Sequence, residues 1–247
     1  MTGIGRNAAR LRTAKTLGAI DEATTDLAEG VRDADAVVLA VPVEEVIPLG
    51  KKIRPRVKPG AFVIDVGSVK GAVVRAFSGW PDFVGSHPMC GSEKTGVRNA
   101  RPDLYRGAAC LLTPTGKTSK SALAKAESLW KSVGAKPLRL SPEEHDRRVA
   151  LVSHLPHLLA EALVRTATEG DGKNWAPRTA AGSFLDATRV ASADPALWAQ
   201  IFAMNRASVR RAAAAFRRAL AALLSRGPGE RELREVVRRR NLFGGLS

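Results

Sequence analysis

The first 140 residues alternate short, β-branched apolar runs with helical stretches, and beyond residue 141 the strand pattern stops. That asymmetry restricts the possible folds more than any other property of the chain, because strands alternating with helices build a parallel, doubly wound sheet. Ala36-Val37-Val38-Leu39-Ala40-Val41, closed by Pro42, reads as a buried parallel strand. Val43 to Val57 reads as a helix cut into short pieces by Pro48 and Pro55. After the Pro59-Gly60 turn, Ala61 to Val66 reads as a second buried strand, and Phe83-Val84-Gly85 as a third that leads into a loop at His87. Ala108 to Thr113 reads as a fourth, followed by a helix from about Ser119 to Val133 and a last strand at Lys136 to Leu140. Ser141-Pro142-Glu143-Glu144 then combines a capping serine, proline at the first helical position and early acids. Phe202, Val209, Phe216 and Leu223 recur every seven residues, with Arg206, Arg210 and Arg217 on another face. They predict an amphipathic helix that packs on other helices. The expected division is an α/β domain over residues 1–140 and an all-helical domain over 141–247.

Composition narrows the function classes. No apolar run approaches the roughly 18 residues of a membrane span, and no signal-peptide pattern opens the chain. Arg6, Arg10, Arg12 and Lys15 without an acid resemble a transit peptide faintly, but an ordinary strand, turn and helix start reads the same residues better. Two cysteines, Cys90 and Cys110, are too few for a disulfide framework, so the expected location is a reduced cytoplasm. The net charge of +15 includes eleven arginines against three glutamates between Asn205 and Ser247. They fall on helical faces with no interleaved aromatic set, so nucleic acid is not the expected partner; a basic face attracts small anions.

Chemistry-bearing residues concentrate in two glycine-punctuated stretches, Gly67-Ser68-Val69-Lys70-Gly71 and His87-Pro88-Met89-Cys90-Gly91-Ser92-Glu93-Lys94-Thr95-Gly96. Both follow apolar strands, where catalytic groups are held in doubly wound sheets. Ser68 also reads as a helix N-cap, His87 as a turn-capping residue and Cys90 as a small apolar filler. His154 and His157 lie three apart on one helix face disturbed by Pro156, while His145 reads as a helix residue at the domain junction. No His, Cys or Asp spacing typical of zinc is present, so no metal is expected. Gly3-Ile4-Gly5-Arg6-Asn7-Ala8 matches a dinucleotide-binding pattern, but only Met1 and Thr2 precede it. It reads better as the end of a Rossmann second strand, where Gly5 stands in for the usual acid and Arg6 and Arg10 suit a 2′-phosphate. NADP is then expected over NAD.

Asp35 to Pro42, Asp65 to Gly71, the His87 to Gly96 stretch, Ser153-His154-Leu155-Pro156-His157 and Asp186-Ala187-Thr188-Arg189 with Asp194-Pro195 and Trp198 occur in one order. In that order they resemble the prephenate/arogenate dehydrogenases of tyrosine biosynthesis, from about residue 3 to residue 225. The resemblance implies a Rossmann-type domain, here without its first strand and glycine loop, followed by a helical dimerisation domain and a homodimer. It implies oxidative decarboxylation of prephenate to 4-hydroxyphenylpyruvate, or of arogenate to tyrosine, with hydride passing to NADP or NAD. By resemblance His87 accepts the substrate hydroxyl proton, and Ser68 holds that hydroxyl and lies beside the cofactor. Arg189 binds a substrate carboxylate, His157 reaches the side chain or ring carboxylate, Glu93 pairs with the arginine as a gate and Ser92 is a weaker contact. Arg6, Val41 and Pro42 border the cofactor, and His154 is structural. Arg189 also reads as a surface ion pair with Asp186. A rival reading makes the chain a disabled fragment that serves as a binding or dimerisation module, because the glycine loop that seats a pyrophosphate is not found in it.

Overall fold

In the computed structural model, residues 1–91 and 96–243 are described. The order is β1 (Thr2–Ile4), α1 (Ala8–Thr16), β2 (Glu22–Thr24), α2 (Leu27–Arg32), β3 (Ala36–Leu39), α3 (Val43–Ile53), β4 (Phe62–Asp65), α4 (Gly71–Ala76), β5 (Phe83–Pro88), β6 (Ala109–Thr113), α5 (Lys120–Ser132) and β7 (Lys136–Arg139). Helices follow: α6 (Pro142–Val149), a π-helical turn (Ala150–His154), α7 (Leu155–Thr168), α8 (Gly172–Thr179), α9 (Gly182–Thr188), α10 (Pro195–Met204), α11 (Arg206–Arg226) and α12 (Glu230–Asn241).

The strands form two sheets. β1 and β2 pair in parallel, and β3-β4-β5-β6-β7 form a separate five-stranded sheet. Together with the helical half, this is a Rossmann-type doubly wound arrangement whose sheet is split between β1 and β3. Three expectations need correction here. The sheet is not all parallel, because β6 runs antiparallel to β5, with His87 opposite Leu111. Apolar runs carry no information about strand direction, so sequence could not have shown this. β3 is not buried throughout: it is a sheet edge, so Val37 and Leu39 face the core while Val38 is 47% exposed. β4, with neighbours on both sides, is buried at every position. Finally, α3 continues through Pro48 as one helix, and only Arg54–Arg56 adopts a tighter turn. Its apolar face, Val43, Val46 and Ile53, is buried. Packing along that face outweighs the one backbone bond a proline forfeits.

The core has two layers. Val43, Val46, Ile53, Val63, Val69 and Val73 pack with a Phe77–Trp80–Phe83 aromatic group on one side of the sheet. Phe62, Ile64, Leu112 and Trp130 pack under α5 on the other. Ser119 caps α5 through Ala122 N at 3.1 Å, and Ser141 caps α6 through Glu144 N at 3.1 Å, the second as read from sequence. Ile201, with Trp198 and Met204, joins the first of these cores from the helical half. The seven-residue repeat spans two helices rather than one, because the chain breaks at Asn205 between α10 and α11. Val209 is buried and Phe202 and Phe216 are half-buried, whereas Leu223 is exposed.

Candidate active site

β3, β4 and β5 run in one direction, so Val41-Pro42, Gly67-Ser68 and His87 all come to the carboxyl edge of the sheet. That edge is where doubly wound folds bind ligands. His87 is the penultimate residue of strand β5 rather than part of a loop, which corrects the sequence reading. Antiparallel pairing with β6 extends the strand through Pro88 and fixes the backbone of the imidazole.

Behind His87 lies a buried polar chain. His87 Nδ1 is 2.9 Å from His145 Nε2, and His145 Nδ1 is 2.9 Å from Asp146 Oδ1. Asp146 accepts from the backbone N–H of Lys70 at 2.8 Å and of Gly71 at 2.9 Å. It therefore caps α4 from the other half of the molecule. This corrects the expectation for Ser68, which makes no cap bond and stands half-buried two residues before α4's cap position. Loss of hydration tends to raise the Asp146 carboxyl, yet the bonds from His145, Lys70 and Gly71 outweigh it and hold the group below the usual carboxylate value of 3.8. Burial lowers His145, with Asp146 opposing. Burial, then the charges of His145, Lys70 and His154, hold His87 well below 6.5. His87 is thus a neutral imidazole at physiological pH.

Lys70 is fully buried and ion-paired to Asp65 at the end of β4. Asp65 also accepts from Gly67 N at 2.9 Å and Ser86 N at 3.2 Å. Burial lowers the Lys70 ammonium, and Asp65 opposes the shift. The pair joins the loop after β4 to the strand carrying His87.

His154 and His157 are both buried. Leu155 N–H reaches Ala150 O five residues back, a π turn that sets the register ahead of Pro156. Asn205 Nδ2 donates to Asp146 O at 2.8 Å and lies 3.2 Å from His154 Nδ1. His157 stacks on Trp198, with centroids 3.6 Å apart, and its Nε2 is 3.2 Å from Glu161. Among the described residues, His154 Nε2 and His157 Nδ1 are buried without a hydrogen-bond partner, an exception among buried polar groups.

The other sequence candidates are less tied down. Arg189 is exposed at the start of a turn packed on α7, and it has no ion-pair partner among the described residues; the pair with Asp186 does not form. Arg6 is exposed just after β1, and Gly3 lies inside that strand, so the first glycine of the dinucleotide pattern belongs to no loop. Val41 is half-buried and Pro42 exposed at the head of α3, which no side chain caps. Ser92 and Glu93 lie outside the described residues. Cys90 is half-buried and its thiol is pushed up by burial, as suits a filler. No group of three or more metal-ligating side chains occurs among the described residues. Sequence reading missed Lys70, Asp65, His145 and Asp146. An acid and a lysine in adjoining motif positions were the available signal for the first two.

Residues 1–138 match the family model for the prephenate dehydrogenase nucleotide-binding domain, and 141–237 that for the prephenate dehydrogenase dimerization domain. The chain is 37% identical to prephenate dehydrogenase of Bacillus subtilis over 198 residues, 77% of this chain and 53% of that protein. It is 36% identical to cyclohexadienyl dehydrogenase of Zymomonas mobilis over 197 residues, 78% of this chain and 67% of that protein. The chain thus spans about half the length of the Bacillus relative. Among solved structures, prephenate dehydrogenase from Aquifex aeolicus with hydroxyphenyl propionate and NAD+ superposes with a TM-score of 0.89 at 33% identity, covering 100% of this chain and 88% of that one. Synechocystis arogenate dehydrogenase superposes with a TM-score of 0.83 at 28% identity, covering 100% and 91%.

The Asp65–Lys70 pair yields a direct test. Asp65→Asn leaves an ammonium buried without its countercharge and should cost about 3–5 kcal/mol in urea unfolding, with much of the loss regained in Asp65→Asn/Lys70→Met. A single-variant cost under about 1 kcal/mol would contradict the pairing described.

Proposed function

The chain belongs to the prephenate dehydrogenase family, and on that premise we propose that it catalyses the oxidative decarboxylation of prephenate or arogenate with hydride transfer to NAD(P). The observation that carries this reading is His87, hydrogen-bonded to His145, at the carboxyl edge of the parallel strands. Residues 1–140 form the cofactor half and 141–247 the helical half that completes the substrate site and pairs two copies. Exposed Leu220, Leu223 and Leu224 on α11 and Leu233, Val236 and Val237 on α12 supply apolar surface for a homodimer. No helix among the described residues is long and apolar enough to cross a membrane, and we assign the protein to the cytoplasm.

Val41 and Pro42 after β3, Ser68 after β4 and Arg6 after β1 would hold the cofactor. The uncapped N-terminus of α3 fits the task, because free amides at a helix start favour an anionic group. The chemistry that NAD(P) would supply when bound is a hydride acceptor for the ring carbon that bears the hydroxyl. Ser68 orients that hydroxyl, and His87 takes its proton as the carbon–oxygen double bond forms. The ring carboxylate then leaves as CO2, its electron pair returns through the ring to oxygen, and oxygen recovers the proton as a phenol. An exposed Arg189 suits one substrate carboxylate by its planar fork. His157, with an unpartnered Nδ1, suits the other end of the molecule. Ser92 and Glu93 are proposed as further substrate contacts.

Turnover should be measured as NADPH or NADH formation together with CO2 release, with prephenate and arogenate each supplied. Turnover of at least one is expected, more efficient with NADP than with NAD. Turnover of neither by the dimeric protein would favour a binding or dimerisation module. His87→Asn should lower kcat by about 10²–10⁴-fold. Because His87 is held below its ordinary 6.5 and must be unprotonated to act, kcat/KM should stay flat through neutrality. It should fall only as pH drops below 6.5; an acid limb at or above that value contradicts the assignment. Arg6→Ala should raise KM for NADP by about tenfold and leave KM for NAD unchanged, the loss expected for one charge-assisted phosphate contact. Equal changes for both cofactors would remove Arg6 from the site.

A further inference from the structure

The hydrogen bonds behind His87 run in one direction only. Asp146 accepts three N–H groups, from His145 and from the Lys70 and Gly71 backbone. A carboxylate has no proton to give, so His145 Nδ1 carries the hydrogen of their bond. A neutral imidazole bears one N–H, which leaves His145 Nε2 as a lone pair. His87 Nδ1, 2.9 Å away, must therefore be the donor. The remaining ring nitrogen of His87, Nε2, is then unprotonated and takes no part in this chain.

We infer that His145 and Asp146 are positioning residues that fix His87 in its Nδ1–H tautomer, so that Nε2 is the proton-accepting atom. The inference rests on His87 acting as the base and adds the atom and the groups that prepare it. Left alone, an imidazole carries its proton on either nitrogen, and one of the two tautomers would present an N–H where a lone pair is needed. When His87 accepts the substrate proton, its new charge lies one imidazole away from the Asp146 carboxylate, which the α4 amides hold in place.

The arrangement also couples base preparation to domain docking. His87 and the amides of Lys70 and Gly71 belong to the sheet half, while His145 and Asp146 belong to α6. Gly71 is part of the fit: a Cβ there would stand 2.7 Å from Asp146 Oδ2, inside contact distance. The charged or titratable groups acting on His87 are His145, Lys70 and His154. None of these three supplies a proton acceptor for Nδ1–H other than His145 Nε2.

The test is 15N NMR of the histidine-labelled full chain at neutral pH, with His87 assigned by its absence in His87→Asn. The wild-type protein should show His87 protonated at Nδ1 and bare at Nε2. In His145→Phe, which keeps the ring volume and removes the acceptor, His87 should become a tautomer mixture. Its kcat should fall on the order of 10²-fold, with KM for substrate and cofactor changed less than about threefold. His145→Gln, whose amide oxygen can accept from Nδ1–H, should regain most of the tautomer and of kcat. Gly71→Ala, which alters no titratable group, should mimic His145→Phe by displacing Asp146. A wild-type His87 protonated at Nε2 overturns the inference, as does a His145→Phe protein with unchanged tautomer and kcat. The NMR result stands without turnover, so absence of activity toward both substrates would fail the proposed function and leave the tautomer assignment to be decided separately.

Discussion

The Asp146 carboxylate at the start of α4 is the interaction on which the rest of the site depends. One side chain from the helical half closes two backbone amides of the sheet half and orients His145. Helix starts leave amides unsatisfied, and a short helix such as α4 has no side-chain cap of its own. The cap supplied from α6 therefore serves local structure, domain docking and the histidine pair at once. Asn205, between α10 and α11, anchors α6 within the helical half by donating to the Asp146 carbonyl.

Burial gives these contacts their weight. Lys70 is enclosed, and its charge is tolerable only because Asp65 and the field of Asp146 offset the loss of water. That positive charge and the dry surroundings together keep His87 and His145 neutral. Neutral histidines are what a directional relay needs, since two imidazolium rings facing each other would repel. The π turn and the break at Asn205 bring His154 and His157 under Trp198, where one nitrogen of each ring has no hydrogen-bond partner among the described residues. Packing, electrostatics and the choice of helix boundaries thus converge on one edge of the sheet.

Much of this was legible in sequence, and the remainder failed for definite reasons. The strand runs around Val37, Ile64, Val84 and Leu111, and the serine cap at Ser141, announce themselves locally. Local pattern also marked His87, His157 and Ser68 as residues near strand ends or on one helix face. It could not give the direction of β6, because the alternation of a run is the same read either way. It could not reveal Asp146 as a cap, since donor and acceptor are 75 residues apart. His145 follows two glutamates at a helix start and reads as an ordinary helix residue at the domain junction. Only the docking of α6 on α4 buries it. Ser68 reads as a cap because a serine directly before a helical stretch, here expected to begin at Val69, usually is one, whereas the helix starts only at Gly71. A buried carboxylate out-competes it here.

The most direct measurement is a crystal structure of the full chain with NAD(P) and a product-like phenol bound. The account predicts the phenolic oxygen within about 3.2 Å of His87 Nε2, with the His87–His145–Asp146 chain intact behind it. A phenolic oxygen bound to another group, or a complex in which His145 has left His87, would contradict it.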